Sequence, residues 1–234
     1  TSNEMVTTAP RETIFVIDTS GSMAGTSIEQ AKAALLLALG RLTSQERFNV
    51  IQFNSTTHLL FSEPQAVRTE ALGKAVRYVE RLHANGGTDI LPAMKMALKG
   101  RPPATHLRQV IFLTDGQVGN EEELFDVIRA QLGQSRLFTI GIGSAPNSHF
   151  MRKAAEFGRG TFTHIGSTSE VKAQMGFGGF VWVNLDDQSM SLQDYIGPAL
   201  DMLEPQMREP MEVFHFHKAV VNTTFGGDLN ATRK

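Results

Sequence analysis

Apolar and polar positions along the chain follow two alternating rhythms. Residues 13–17 (Thr-Ile-Phe-Val-Ile) form a short run that is apolar on both faces. That is the pattern of a central parallel strand buried on both sides. Comparable runs recur at 48–53, 110–113 and 137–142. Shorter ones at 58–61 and 161–164 predict an antiparallel edge strand and a last short strand. Between these runs the apolar residues recur at helical spacing. Ile28, Ala31, Leu35 and Leu39 mark a first helix that ends near Gly40. Ser27 with Gln30, or Thr26 with Glu29, has capping-box spacing at its start. Leu72, Val76 and Val79 mark an amphipathic helix over 67–82, and Ile90–Leu98 a shorter one. Leu124, Val127, Ile128 and Leu132 mark another, capped by Asn120 with Glu123 and stopped by Gly133. Helices over 149–157 and from 169 to 175 complete the series. Strands alternating with helices predict an α/β fold: an open, doubly wound, mostly parallel sheet with helices on both faces.

From residue 176 the texture changes. Gly176, Phe177, Gly178, Gly179 and Phe180 form an aromatic-bearing break. Leu192, Tyr195, Ile196, Ala199, Leu200 and Leu203 have helical spacing, but Gly197-Pro198 interrupts it. A proline inside a helix costs about 3 kcal/mol, which predicts a kinked or split helix. A strand over 211–221 and a turn at 225–228 follow. The chain therefore divides into a domain over 1–175 and an atypical C-terminal extension over 176–234.

Composition narrows the function classes. With 41% hydrophobic and 20% charged residues, the 234-residue chain can bury a substantial core without covalent staples. A net charge of −2 argues against wholesale neutralisation of nucleic-acid phosphates. The chain has no cysteine, so disulfides, thiolate zinc sites and cysteine nucleophiles are excluded. The longest apolar stretch, 33–39, is far below the run of about 18 that spans a bilayer. The chain opens on Thr1, and its first ten residues are polar, so it reads as a segment of a longer protein.

Candidate chemistry sits directly after the first strand, in Asp18-Thr19-Ser20-Gly21-Ser22. A carboxylate and two hydroxyls are hard oxygen ligands, suited to Mg²⁺, Mn²⁺ or Ca²⁺. The theme returns in Gly86-Gly87-Thr88-Asp89 and in Leu113-Thr114-Asp115-Gly116. Open α/β sheets bind ligands outside the carboxyl ends of their strands, where Asp18 and Asp115 both lie. The candidate metal ligands are Asp18, Ser20, Ser22, Thr88 and Asp115. Only two of them carry charge, so a divalent ion would keep much of its own charge and an open position. A carboxylate from another molecule is the natural ligand to fill it. One such loop alone would read as an Asx turn before a helix; three loops at matching places argue for a shared site. Asp89 reads first as a helix N-cap and second as an acceptor for metal-bound water. Met23 leans towards the binding rim, and Asn54 reads as a turn residue near the crevice. His164 ends a strand close to the same face. His215 and His217 read as surface histidines and Trp182 as a buried aromatic.

These motifs resemble the von Willebrand factor type A domain. Asp18-Thr19-Ser20-Gly21-Ser22 matches that family's metal-ion-dependent adhesion site (MIDAS) loop, Thr88 its threonine and Asp115 its distal aspartate. Phe15 through Met23, Arg47-Phe48-Asn49-Val50 and Gly86 through Asp89 are most similar to the inter-alpha-trypsin inhibitor heavy-chain branch and its bacterial relatives. The resemblance covers roughly residues 10–175, and the extension departs from it. It implies binding of a protein or matrix ligand that presents Asp or Glu, through Mg²⁺ or else Mn²⁺ or Ca²⁺, without catalysis. It also implies a place in the cell envelope or outside the cell, with a cytoplasmic address left open. Two other functions compete with this one. One is a non-adhesive scaffold or regulatory subunit of an ATPase- or chelatase-type assembly. The other is a metal-dependent hydrolase. A phosphatase of the haloacid dehalogenase type needs an acid two residues after its strand-end Asp, and Ser20 stands there. Neither a Gly-x-Ser-x-Gly elbow nor a Walker loop occurs.

Overall fold

The computed structural model describes residues 10–116, 118–143, 146–167 and 169–171. In chain order the elements are β1 (Arg11–Asp18), α1 (Thr26–Leu39), β2 (Arg47–Phe53), β3 (Thr57–Leu59), β4 (Gln65–Ala66), α2 (Thr69–Glu80), α3 (Ile90–Leu98), β5 (Leu107–Thr114), α4 (Glu121–Gln131), β6 (Arg136–Ile142), α5 (Ser148–Phe157) and β7 (Phe162–Ile165). They form one sheet in the order β3-β2-β1-β5-β6-β7, with β4 also paired to β2. All pairings from β2 to β7 are parallel, while β3 and β4 run antiparallel to β2. From β1 the chain builds outward in both directions, towards β2 on one side and β5 on the other. The carboxyl ends of β1 and β5 therefore flank the topological switch point, where a crevice opens.

The core explains the strand pattern. Ile14, Val16, Ile51, Phe53, Val110 and Phe112 form one buried row beneath α3, α4 and α5. Aromatic rings interlock there, Phe53 against Phe112 with centroids 6.2 Å apart and Phe125 against Phe150 at 5.6 Å. The alternate row, including Phe15, Ile17, Val50, Ile111 and Leu113, is equally buried. On that second face α1 packs against α2 and β6, and the Tyr78 hydroxyl of α2 donates to Gln52 of β2 at 2.9 Å. The doubly wound, mostly parallel sheet is thus as the rhythm of the sequence predicts.

Several boundaries differ, each for a physical reason. β1 and β5 extend into the charged residues Arg11, Glu12 and Arg108, because Arg108 grips Glu12 through two nitrogens at 2.6 and 2.9 Å. Arg47 of β2 joins the same carboxylate at 3.3 Å. α1 starts at Thr26 behind Gly25, whose φ is +79°, and no side chain caps it. Neither expected capping box forms. Gln30 is instead buried, donating to the Gly166 carbonyl at 3.2 Å and accepting from Gly143 N–H at 3.1 Å. The edge strand ends at Leu59, since the Phe61 N–H turns to the Asn49 side chain at 3.2 Å. α2 begins at Thr69 because Val67 N–H bonds the Glu46 carbonyl at 3.1 Å. Asn120 precedes α4 without capping its backbone; its amide binds the Glu123 carboxylate. Residues 169–171 are helical, as expected. The rest of that last helix, the boundary at 175 and every expectation for 176–234, His215, His217 and Trp182 included, lie outside the described residues.

Candidate metal centre at the switch point

Parallel register sets Ile17 opposite Leu113, which makes Asp18 and Thr114 neighbours at the carboxyl ends of β1 and β5. Asp18 is fully buried. Its Oδ1 accepts the Ser20 backbone N–H at 2.8 Å and its Oδ2 the Thr114 hydroxyl at 2.6 Å. Burial raises the Asp18 carboxyl above its ordinary value of 3.8; hydrogen bonds from Ser20 and Thr114 oppose the rise, and the Asp115 charge adds to it. Among the described residues no Lys, Arg or His forms an ion pair with Asp18.

The hydroxyls gather beside this carboxylate. Ser20 is buried and Ser22 exposed, with their Oγ atoms 3.1 Å apart. One therefore belongs to the floor of the crevice and the other to its mouth. Asp115 is buried directly after β5. Its backbone path is set by Asn147, whose N–H donates to the Asp115 carbonyl at 2.9 Å, and by Gly116 at φ +75°. A Cβ at Gly116 would sit 3.1 Å from Met151, so the turn there requires glycine in both conformation and space. Thr88 is half-buried in a loop docked on the first one. Gly21 N–H donates to the Gly86 carbonyl at 2.9 Å, and Asn85 N–H to the Thr19 carbonyl at 2.8 Å. The fold thus brings Asp18, Ser20, Ser22 and Asp115 to one crevice, with the Thr88 loop fastened to its edge.

Sequence reasoning missed the residues that hold the loops. Thr114 was legible only as part of a strand-end motif; its hydroxyl also accepts Gly116 N–H at 2.9 Å. Asn54 is the turn residue expected, but it does more. Its amide donates to Asn85 Oδ1 at 2.7 Å, its Oδ1 accepts Thr56 N–H at 3.0 Å, and its carbonyl accepts Asp89 N–H at 2.8 Å. Ser55 accepts Gly87 N–H at 2.7 Å. Asn54 and Ser55 therefore clamp both flanks of Thr88. A third tie runs from Tyr78 through Gln52 to the Thr19 hydroxyl, 2.9 Å from the Gln52 amide. Asp89 occupies the N-cap position of α3, but its exposed side chain makes no cap bond. Met23 is fully buried and belongs to the core rather than the rim, because the single 3-10 turn at Gly21–Met23 rolls its side chain inward. His164 is exposed, with Nε2 2.8 Å from the Gly143 carbonyl.

The donor set fits a hard divalent cation. A buried Asp18 carboxylate that no described basic residue pairs with, the Asp115 charge that repels it and two hydroxyls in contact together make a cluster of hard oxygen donors. Among the described residues no three His, Cys, Asp or Glu side chains gather, and the side-chain oxygens beside Asp18 include the Ser20 and Ser22 hydroxyls. That is an oxygen site without the imidazoles or thiolates that zinc and copper favour.

Comparison with known proteins bears on this arrangement. The von Willebrand factor type A domain profile matches residues 11–164. A von Willebrand factor A domain-containing protein of Dictyostelium discoideum is 33% identical over 165 residues, 70% of this chain and 18% of that protein. Mouse inter alpha-trypsin inhibitor heavy chain 4 is 33% identical over 185 residues, 74% of this chain and 20% of its own. The chain thus spans about a fifth of the curated relatives it matches. Among solved structures, a von Willebrand factor type A protein from Catenulispora acidiphila superposes with a TM-score of 0.64 at 25% identity, covering 71% of this chain and 41% of that one. Proximal thread matrix protein 1 from the mussel byssus, solved with a zinc-occupied MIDAS motif, shares the fold at a TM-score of 0.58 and 15% identity, over 71% of this chain and 46% of its own. Fold, strand-end loops and sequence agree that this chain belongs to the von Willebrand factor type A domain family.

Proposed function

We propose that this domain binds a protein partner through a divalent cation, Mg²⁺ in the first place and Mn²⁺ or Ca²⁺ as substitutes. The observation that carries the reading is Asp18: a fully buried carboxylate that no described basic residue neutralises. Asp18, Ser20, Ser22, Thr88 and Asp115 would hold the ion directly or through water. Bound there, the ion supplies a Lewis-acidic contact for a carboxylate. Three of its five ligands are neutral, so the ion would stay electrophilic enough to attract an Asp or Glu of the partner. Thr114 orients Asp18, and Asn54 and Ser55 hold the Thr88 loop in place. The solved mussel byssus relative with a metal in its MIDAS motif supports the reading by analogy of fold. We read the role as binding; a phosphatase of the haloacid dehalogenase type would need a general acid where Ser20 stands.

Calorimetric titration of Mg²⁺ and Mn²⁺ into the chelator-stripped chain tests this, run beside Asp18→Ala. One saturable site lost in the variant is the expected result. Equal heats in both proteins would refute the ligand assignment.

A further inference from the structure

On the sheet face beneath α3, away from the metal loops, a groove of about 500 Å³ lies between that helix and the β2–β3 edge. Its floor is apolar, built from Ile14, Ile51, Leu59 and Met96. Leu59 is 40% exposed, the one large apolar side chain so exposed among the described residues. Two lysines line this groove, Lys95 on α3 and Lys99 at its C-cap, where the backbone has turned extended. Both are exposed, and neither forms an ion pair with any described residue. Among the described residues no lining residue is acidic. The third basic lining residue, Arg108, is spent on Glu12 and on the Lys99 and Gly100 carbonyls. Glu63 lies between two lining residues but is not part of the lining.

An exposed Leu59 beside half-buried Met96, under two cations that pair with no described residue, on a chain whose net charge is −2, is a specific chemical demand. We infer that this groove docks an acidic peptide segment of a partner protein, one bulky apolar side chain seated on Leu59 and Met96 and flanking carboxylates reaching Lys95 and Lys99. A nucleic acid would need a broader basic surface and exposed rings for stacking. A membrane would need protruding apolar side chains rather than a concave seat. Ile14 lies four residues before Asp18 on β1, about 13 Å along the strand. Docking here therefore requires no metal, and the inference stands apart from the proposed cation site.

The test uses the full 234-residue chain and a fluorescein-labelled peptide of Glu and Asp around a central Leu-Phe pair, read by polarisation in excess EDTA. Saturable binding is expected, weakened roughly tenfold or more by Lys95→Glu with Lys99→Glu and by raised salt. Leu59→Asp should weaken it independently, and Asp18→Ala should leave it unchanged. Both lysines are exposed, so the charge-reversed chain should melt at the wild-type temperature. Four results would overturn the inference: no saturable binding; binding indifferent to all three groove substitutions; binding that demands Mg²⁺ or Asp18; or self-association or oleate uptake at these lysines in place of peptide.

Discussion

Replacing Asp18 with Asn tests the electrostatic logic of the site directly. In the chelated protein the Asp18 carboxyl lies in the interior, where burial chiefly raises it above its ordinary value of 3.8. A carboxyl whose folded-state pKa is raised destabilises the fold. The penalty is absent below the unfolded value, sets in as pH climbs from there through the folded value, and is constant above it. Each unit of elevation is worth about 1.4 kcal/mol. Asparagine removes this penalty and keeps the shape. Its Oδ1 still accepts Ser20 N–H, and its amide can donate to Thr114 Oγ1, which sits 2.6 Å from Oδ2 in the wild type. Reversing one hydrogen bond costs about 1 kcal/mol. The expected net effect in EDTA at pH 7.5 is a gain in stability for Asp18→Asn, read as a melting temperature above that of the wild type. The gain should shrink as pH falls through the raised folded-state value towards the ordinary 3.8. Magnesium should reverse the order. At a hundredfold excess over Kd the wild type gains about 2.7 kcal/mol by mass action, and the variant gains nothing. Thermal melts by circular dichroism at pH 4.5 and 7.5, with EDTA and with Mg²⁺, read all four states. A variant less stable than the wild type in EDTA at pH 7.5, or one that Mg²⁺ stabilises equally, would refute the reasoning.

Other outcomes follow from specific contacts. Asn54→Ala removes the 2.7 Å bond to Asn85 and the turn bonds to Thr56; loosening the Thr88 loop should weaken Mg²⁺ binding by about tenfold in calorimetry, while an unchanged affinity would detach the clamp from the site. Arg108→Met strands the buried Glu12 with only the 3.3 Å contact to Arg47. Urea denaturation should show a loss of about 3–5 kcal/mol, largely recovered by adding Glu12→Gln. Gly160→Ala places a Cβ 2.1 Å from the Leu137 carbonyl oxygen. Backbone must shift to admit it, and a stability loss of about 1–3 kcal/mol is expected in the same assay.

The sequence by itself determined the sheet, the alternation of helices and strands and the identity of the oxygen-bearing loops. Runs such as Ile14 to Ile17 and Val110 to Leu113 are apolar on both faces, and only a sheet covered on both sides can bury them. Asp18, Ser20, Ser22, Thr88 and Asp115 were legible as candidates because three oxygen-bearing loops recur at matching places, where one alone would read as an Asx turn. Tertiary structure alone decided the rest. The strand ends at Arg11, Glu12 and Arg108 look like loop until the Glu12 carboxylate is seen between Arg108 and Arg47. Gln30 has the spacing of a capping residue, yet its amide is worth more bridging Gly143 and Gly166 across the sheet end. Met23 adjoins the metal loop in sequence and is turned into the core by one 3-10 turn. Asn54, Ser55 and Thr114 act on partners as many as 96 residues away. Local propensity reports what a residue prefers among its neighbours in sequence. A side-chain hydrogen bond depends on which distant backbone the fold brings within 3 Å, and that is settled only when the strands have taken their register.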